Sequence, residues 1–143
     1  MQAANDSLRS KPLDLTFEIP IGKTEKFWED LKEGRVSGTK CKKCGALHFP
    51  PAADCSVCMS NDMEWTPLNG DAELLTYTHV IVRPSSFMQQ ETYTVGVAKL
   101  KEGVNVLAWV TGIKRSDIKI GMKLKLIAAK TPDGKPSYSF VTP

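Results

Sequence analysis

The sequence predicts a mainly β protein: an N-terminal helix, then a small metal-clipped module, then a five-stranded barrel. Three observations carry this. All four cysteines of the 143-residue chain fall within residues 41–58, CKKCGALHFPPAADCSVC. One short stretch before them, residues 24–33, has a helical apolar face. After them come five runs rich in β-branched and aromatic residues, separated by turn formers.

The expected organisation is an arm and helix over residues 1–34, a zinc ribbon over 35–67 and the barrel over 68–143. A composition of 41% hydrophobic and 24% charged residues suits a soluble chain with a real core. A net charge of +3 is only mildly basic and does not by itself imply nucleic acid. The first residues, MQAANDSLRSKPLD, are polar and lack a secretory h-region. No apolar run approaches the ~20 residues of a membrane span. The expectation is a cytoplasmic protein with no membrane partner.

Residues 12–20 alternate, with Leu13, Leu15, Phe17 and Ile19 against Asp14, Thr16 and Glu18. That pattern fits a strand or an extended arm lying on something apolar. The helix follows, with Thr24 as N-cap, Glu25 in its first turn and Gly34 as its stop. Phe27, Trp28 and Leu31 share one face. Ten residues are too few for an isolated helix, so that face must dock, on the chain itself or on a partner.

The barrel strands are expected at 74–82 (LLTYTHVIV), 92–100 (TYTVGVAKL), 104–111 (VNVLAWVT), 122–129 (MKLKLIAA) and 137–141 (SYSFV). Val95 and Val97, with Tyr93, share one face of the second. Residues 113–121 (IKRSDIKIG) have room for one helical turn capped by Ser116. Five strands with a connection between the third and fourth match the OB-fold, among other small barrels.

The cysteines are spaced C-x2-C-x10-C-x2-C: Cys41, Cys44, Cys55 and Cys58. Two intervening residues let both thiolates of a pair turn toward one point. Two such knuckles supply four soft donors in a tetrahedron, which suits structural zinc; iron in a rubredoxin-type centre is the metal alternative. Disulfides fit poorly with a reducing compartment. Gly45 follows the first knuckle where a positive φ is needed; Met59 follows the second, where an altered turn is expected. Four cysteine ligands leave no open position, so the metal is expected to hold a fold and not to catalyse.

With the thiols committed, only His48 and His79 remain as histidines, and no Ser/His/Asp set, phosphate loop or carboxylate pair stands out. This leans away from an enzyme acting alone. Nucleic acid is the rival class, because ribbons and OB-folds both serve it. Lys40, Lys42 and Lys43 lie beside the first knuckle, and Tyr77, Tyr93 and Trp109 are either stacking platforms or barrel core.

Several elements in order resemble a known family, the acyl-CoA-associated OB-fold proteins with an N-terminal rubredoxin-like zinc ribbon, long described as a domain of unknown function. They are Phe27-Trp28, Glu33-Gly34-Arg35, Cys41 to Gly45, Phe49-Pro50-Pro51, Cys55 with Cys58, Glu64-Trp65, Gly70, VAKLKEG at 97–103 and Ile120-Gly121-Met122. The resemblance covers about residues 20–130. Ser56 and Met59 depart from the family's second knuckle. The resemblance implies a non-catalytic scaffold subunit of a thiolase-superfamily enzyme, of the acetoacetyl-CoA thiolase or HMG-CoA synthase type, that contributes to acyl-CoA binding. It implies metal ligation by Cys41, Cys44, Cys55 and Cys58. Contacts to acyl-CoA or the partner do not follow from it. On physical grounds Lys42 and Lys43 suit phosphate as point charges, Arg83 suits a bidentate contact, and Phe87 with Met88 suits an acyl group or partner surface.

Overall fold

The computed structural model describes residues 16–83, 88 and 91–143. The helix α1 spans Glu25–Lys32 and ends at Gly34, whose φ is 81°. Thr24 precedes it without capping it; its hydroxyl donates back to the Ile21 carbonyl. Phe27 and Leu31 are buried and Trp28 is half-buried. The Phe27 ring meets Trp28 at 5.3 Å, Phe49 at 5.8 Å and Tyr138 at 6.1 Å. Phe49 and Tyr138 also meet each other edge-on, at 5.0 Å. The aromatic face therefore docks on its own chain, gathering the cysteine module and the barrel around one ring cluster.

The alternating stretch before α1 behaves otherwise. Residues 16–20 form no strand, and Phe17 and Ile19 are 80% and 76% exposed. Leu13 and Leu15 lie outside the described residues. Among the described residues no apolar surface covers Phe17 or Ile19.

The helix carries a buried charge that periodicity does not reveal. Asp30 accepts from Ser37 Oγ at 2.7 Å, Arg35 at 2.7 Å and Lys26 Nζ at 3.0 Å. Burial pushes the Asp30 carboxyl up. The hydrogen bonds from Ser37, Arg35 and Lys26 outweigh it and bring the pKa down to about 2. A carboxylate held below its unfolded value stabilises the fold above that value and loses the contribution as pH falls through the folded one. Asp30→Asn should therefore cost on the order of 2 kcal/mol at neutral pH. In denaturant titrations the gap between the native chain and the variant should stay constant above about pH 5 and close between about pH 4 and pH 2.

Three strands make the first sheet, in the order β2-β1-β3: β1 (Ser37–Cys41), β2 (Leu47–His48) and β3 (Met63–Pro67). β1 is central and antiparallel to both neighbours, pairing Thr39 with His48 and with Trp65. Thr39 Oγ1 accepts from the Ala52 N–H and donates to the Ala52 carbonyl, both at 2.9 Å. This pins the segment that leads to the second cysteine pair.

The remaining strands are β4 (Asp71–Val80), β5 (Tyr93–Leu100), β6 (Asn105–Val110), β7 (Lys123–Lys130) and β8 (Pro136–Val141). They close as β4-β5-β6-β8-β7, antiparallel throughout except for the β6–β8 pair. This is the OB-fold order expected from the strand count. A bulge between Leu74 and Thr76 bends β4 where it passes from β7 to β5. Phe140, Leu74, Leu100, Leu124 and Val106 fill the interior at 1% exposure or less. On β5 the inward residues are Thr94, Gly96, Ala98 and Leu100; Tyr93, Val95 and Val97 do share a face, and it is the outer one. A Cβ at Gly96 would come within 2.8 Å of Leu74 Cδ1, so a large side chain across the barrel takes the space β5 leaves. The connection between β6 and β7 holds a single 3-10 turn, Arg115–Asp117, preceded by Lys114. Ser116 sits inside that turn and donates to Asp117; it is not the cap.

Candidate functional site

The two cysteine pairs are built by the same turn used twice. Cys41 donates its N–H to Ala46 O and accepts from the Gly45 N–H, at 2.9 and 2.8 Å. Cys55 donates to Ser60 O and accepts from the Met59 N–H, at 2.8 and 2.9 Å. Gly45 has φ 77° and Met59 has φ 59°. The second turn is thus not altered by the missing glycine; Met59 adopts the left-handed conformation at a strain of roughly 1–2 kcal/mol. Its side chain is 83% exposed and contributes little packing. Met59→Gly should raise stability by up to about 1 kcal/mol, since glycine's extra unfolded-state freedom offsets part of the relief. Slower metal loss to a chelator would report the same gain.

The four Sγ atoms lie within 4.8 Å of one another, with Cys41–Cys58 at 3.5 Å and Cys44–Cys55 at 3.6 Å. Sulfurs about 2.3 Å from a tetrahedral zinc are about 3.8 Å apart, so the donor set fits such an ion. All four are free thiols. The Cys44 N–H leads in lowering the Cys41 thiol, to about 6, and the Cys58 N–H leads in lowering Cys55. At Cys44 the Ala46 N–H acts downward, but burial and the neighbouring sulfurs prevail and push it up to about 12. The turns favour thiolates, yet the cluster cannot ionise fully without a cation among them. A metal ion supplies that charge, and four sulfur ligands close the coordination shell.

Neither histidine joins the cluster. His48 lies in β2 with its Nε2 buried and, among the described residues, unpartnered. His79 Nδ1 shares a hydrogen bond of 2.7 Å with Thr94 Oγ1, tying β4 to β5 beside Tyr77. Of the residues expected to meet acyl-CoA, Lys42 is ion-paired with Asp62 at 3.1 Å and Lys43 is exposed. Arg83 lies just beyond β4 with its Nε buried and without a partner among the described residues. The structure keeps them on separate modules, the lysines in the first knuckle and the arginine on the barrel. Phe87 lies outside the described residues; Met88 is 62% exposed.

The barrel surface holds what residue patterns left open. Tyr93 and Trp109 are not core; they stack on the outer face of β5 and β6, with centroids 4.5 Å apart and planes 12° apart. Leu107, on the same face, is 62% exposed. A groove of 630 Å³ runs between β4, β5 and β7, over Leu100 and Leu124. Two of its lysines are already engaged, Lys101 with Asp71 and Lys123 with Glu73. Cross-strand ion pairing, legible only from register, accounts for this face.

The thiolate cluster and the barrel together define a zinc-ribbon–OB-fold protein. Residues 28–64 match the family model for the rubredoxin-like zinc ribbon domain of ChsH2, and residues 65–128 match its C-terminal OB-fold domain. A DUF35 domain-containing scaffold protein of Pyrococcus furiosus is 32% identical over 106 residues, 73% of this chain and 77% of that one. The chain belongs to the DUF35 family of ChsH2-type ribbon–barrel proteins. The benzoylsuccinyl-CoA thiolase subunit BbsA of Thauera aromatica is 28% identical over 114 residues, 78% of this chain and 74% of that one. The structure titled Ltp2-ChsH2(DUF35) aldolase superposes with a TM-score of 0.70 at 24% identity, covering 82% of this chain and 92% of that one. It shares the fold. Among the described residues no helix is long and apolar enough to cross a membrane.

Proposed function

We propose that this protein is a non-catalytic scaffold subunit of an acyl-CoA enzyme of the thiolase superfamily, a thiolase or an HMG-CoA synthase. The observation that carries the reading is the closed thiolate cluster. It commits every cysteine of the chain to structure, in a family whose relatives are named scaffold proteins and, in one case, a thiolase subunit. Carbon–carbon bond chemistry on a thioester then belongs to the partner. The resident metal is zinc, held by Cys41, Cys44, Cys55 and Cys58, with a structural role. In this reading the ribbon (35–67) and barrel (68–143) present the surface, and the helix of the 1–34 segment locks them together. Lys42, Lys43, Arg83 and Phe87 contact acyl-CoA or the partner. The exposed Lys43 and the buried Arg83 Nε, which has no partner among the described residues, favour this, whereas Lys42 must first leave Asp62.

The test is kinetic. The chain alone should turn over no acyl-CoA thioester, while adding it to a candidate partner should raise that enzyme's kcat/KM. Arg83→Ala should diminish the increase without changing the ribbon's metal content. Turnover by the isolated chain at enzymatic rates would overturn the reading. A second reading, binding of single-stranded nucleic acid, draws on the outward Tyr93–Trp109 stack, since OB-folds present aromatic platforms to bases. It requires binding that weakens steeply with salt.

A further inference from the structure

The four sulfurs are unequally exposed, and in the same way in both knuckles. The first cysteine of each pair, Cys41 or Cys55, is 1% exposed. The second lies nearer the solvent: Cys44 is exposed and Cys58 is half-buried. The turn residues around them leave them open. Lys43 and Gly45 are exposed beside Cys44, and Val57 and Met59 are exposed beside Cys58.

The knuckles face each other crosswise. Cys44 Sγ meets Cys55 Sγ at 3.6 Å, and Cys58 Sγ meets Cys41 Sγ at 3.5 Å. Each contact joins an accessible sulfur of one turn to a buried sulfur of the other. An S–S bond is about 2.05 Å long, so each pair has only about 1.5 Å to close. An ion among the four sulfurs keeps them as thiolates, the form that attacks an electrophile. Cys44 thus offers a solvent-facing nucleophile with a second thiolate directly behind it. That is the arrangement in which an oxidised sulfur is captured as a disulfide before it is oxidised further.

We propose that the cluster is an oxidation site for hydroperoxides, in which Cys44 and Cys58 are the sulfurs oxidised and Cys55 and Cys41 the sulfurs that capture them. The Cys44 thiolate attacks the terminal peroxide oxygen. The O–O bond breaks, the alkoxide leaves and takes a proton from water, and Cys44 becomes a sulfenic acid. The Cys55 thiolate then attacks the Cys44 sulfur. The S–S bond forms, the S–O bond breaks, and the hydroxide that leaves takes a second proton. The two sulfurs together lose two electrons, and the hydroperoxide gains them. Cys58 and Cys41 repeat the step with a second hydroperoxide. Tied as two disulfides, the sulfurs hold no metal ion, and the ribbon loses its clip. A thiol reductant reverses both bonds by exchange. In a reducing compartment disulfides are typically transient in this way. The proposal does not rest on the scaffold reading, because all four sulfurs belong to one chain.

The test uses the full-length, zinc-loaded chain with hydrogen peroxide and with cumene hydroperoxide. Zinc release is read with a chromogenic chelator, free thiols by alkylation, and disulfide connectivity by peptide mass mapping. Full oxidation should remove all four thiols, release the bound zinc and leave the disulfides Cys44–Cys55 and Cys41–Cys58. With peroxide limiting, Cys44–Cys55 should form first, and dimedone should trap a sulfenic acid on Cys44 and not on Cys55. Dithiothreitol with zinc should restore the thiols and the amide protection of β1, β2 and β3. Met59→Gly removes the exposed thioether beside Cys58 and should give the same two disulfides, which separates the reaction from methionine oxidation. Zinc and thiols that survive a peroxide excess able to consume free cysteine would overturn the proposal. So would disulfides within a knuckle, links between two chains, sulfinic acid formed without any disulfide, or zinc release that stops in Met59→Gly.

Discussion

Cys55→Ser is expected to abolish stoichiometric metal binding and to unfold the ribbon. Cys55 is 1% exposed and its Sγ faces Cys44 at 3.6 Å, so serine leaves a harder, protonated donor where the cluster needs a thiolate. The three-stranded sheet has little else to hold it. β2 is two residues long, and the segment between the two cysteine pairs is anchored chiefly by Thr39 and the ring of Phe49. Metal binding in such modules contributes on the order of 10 kcal/mol to folding, more than a small sheet retains without it. Amide exchange should lose protection throughout β1, β2 and β3, and a strong chelator should reproduce the loss in the native chain. The barrel amides should stay protected, with reduced stability, because Phe49 and Leu47 pack against the shared core. Asp54→Ala, one position away and exposed, should change neither metal content nor exchange. Retention of full metal content and a protected ribbon in Cys55→Ser would mean that the cluster is not the module's clip.

The second large effect is expected at Gly70. This residue joins the ribbon to β4 with φ 84°, and a Cβ there would lie 2.4 Å from the Leu126 carbonyl oxygen. The contact is with backbone in the middle of β7, so no side-chain rotation relieves it. Leu126 N–H also donates to Gly70 O at 2.8 Å, which holds the two chains at that distance. Gly70→Ala therefore combines left-handed strain with a steric push on the barrel's closing strand, at a cost of about 3 kcal/mol or more. Thermal unfolding should show a large fall in Tm. Gly103→Ala is the control: its φ is 96° but nothing lies within 4 Å of the added methyl, so only the conformational penalty applies. Equal losses at the two positions would show that the close approach to Leu126 does not matter.

The legible parts of this protein are those written in local chemistry. Cysteine spacing places four sulfurs together because two knuckles leave few other arrangements, and strand runs give the barrel because β-branched residues and turn formers alternate over short range. The parts that escaped depend on partners distant in sequence. Alternation puts Val95 and Val97 on one face without saying which way it points, and β5 turns its small residues inward because Leu74 and Phe140 already occupy the interior. Tyr93 and Trp109 are therefore outside, and only register sets them in contact. Asp30 looks like an ordinary solvent residue on a polar helix face; its burial follows from Ser37 and Arg35, beyond the helix end. Met59 carries a positive φ without glycine because the metal turn imposes it, and a sequence shows only that glycine is missing. Phe17 and Ile19 show the limit most clearly, since their alternation is sound but no described residue forms its apolar counterpart.

The central claim is that this ribbon–barrel chain works as a subunit of an acyl-CoA enzyme. The most direct test is native mass spectrometry of the tagged chain recovered from its own cells at moderate salt. The account predicts a near-stoichiometric complex with a thiolase-superfamily enzyme, dissociating when the ribbon's metal is removed. Recovery of the chain alone, or bound to nucleic acid with no such enzyme present, would contradict it.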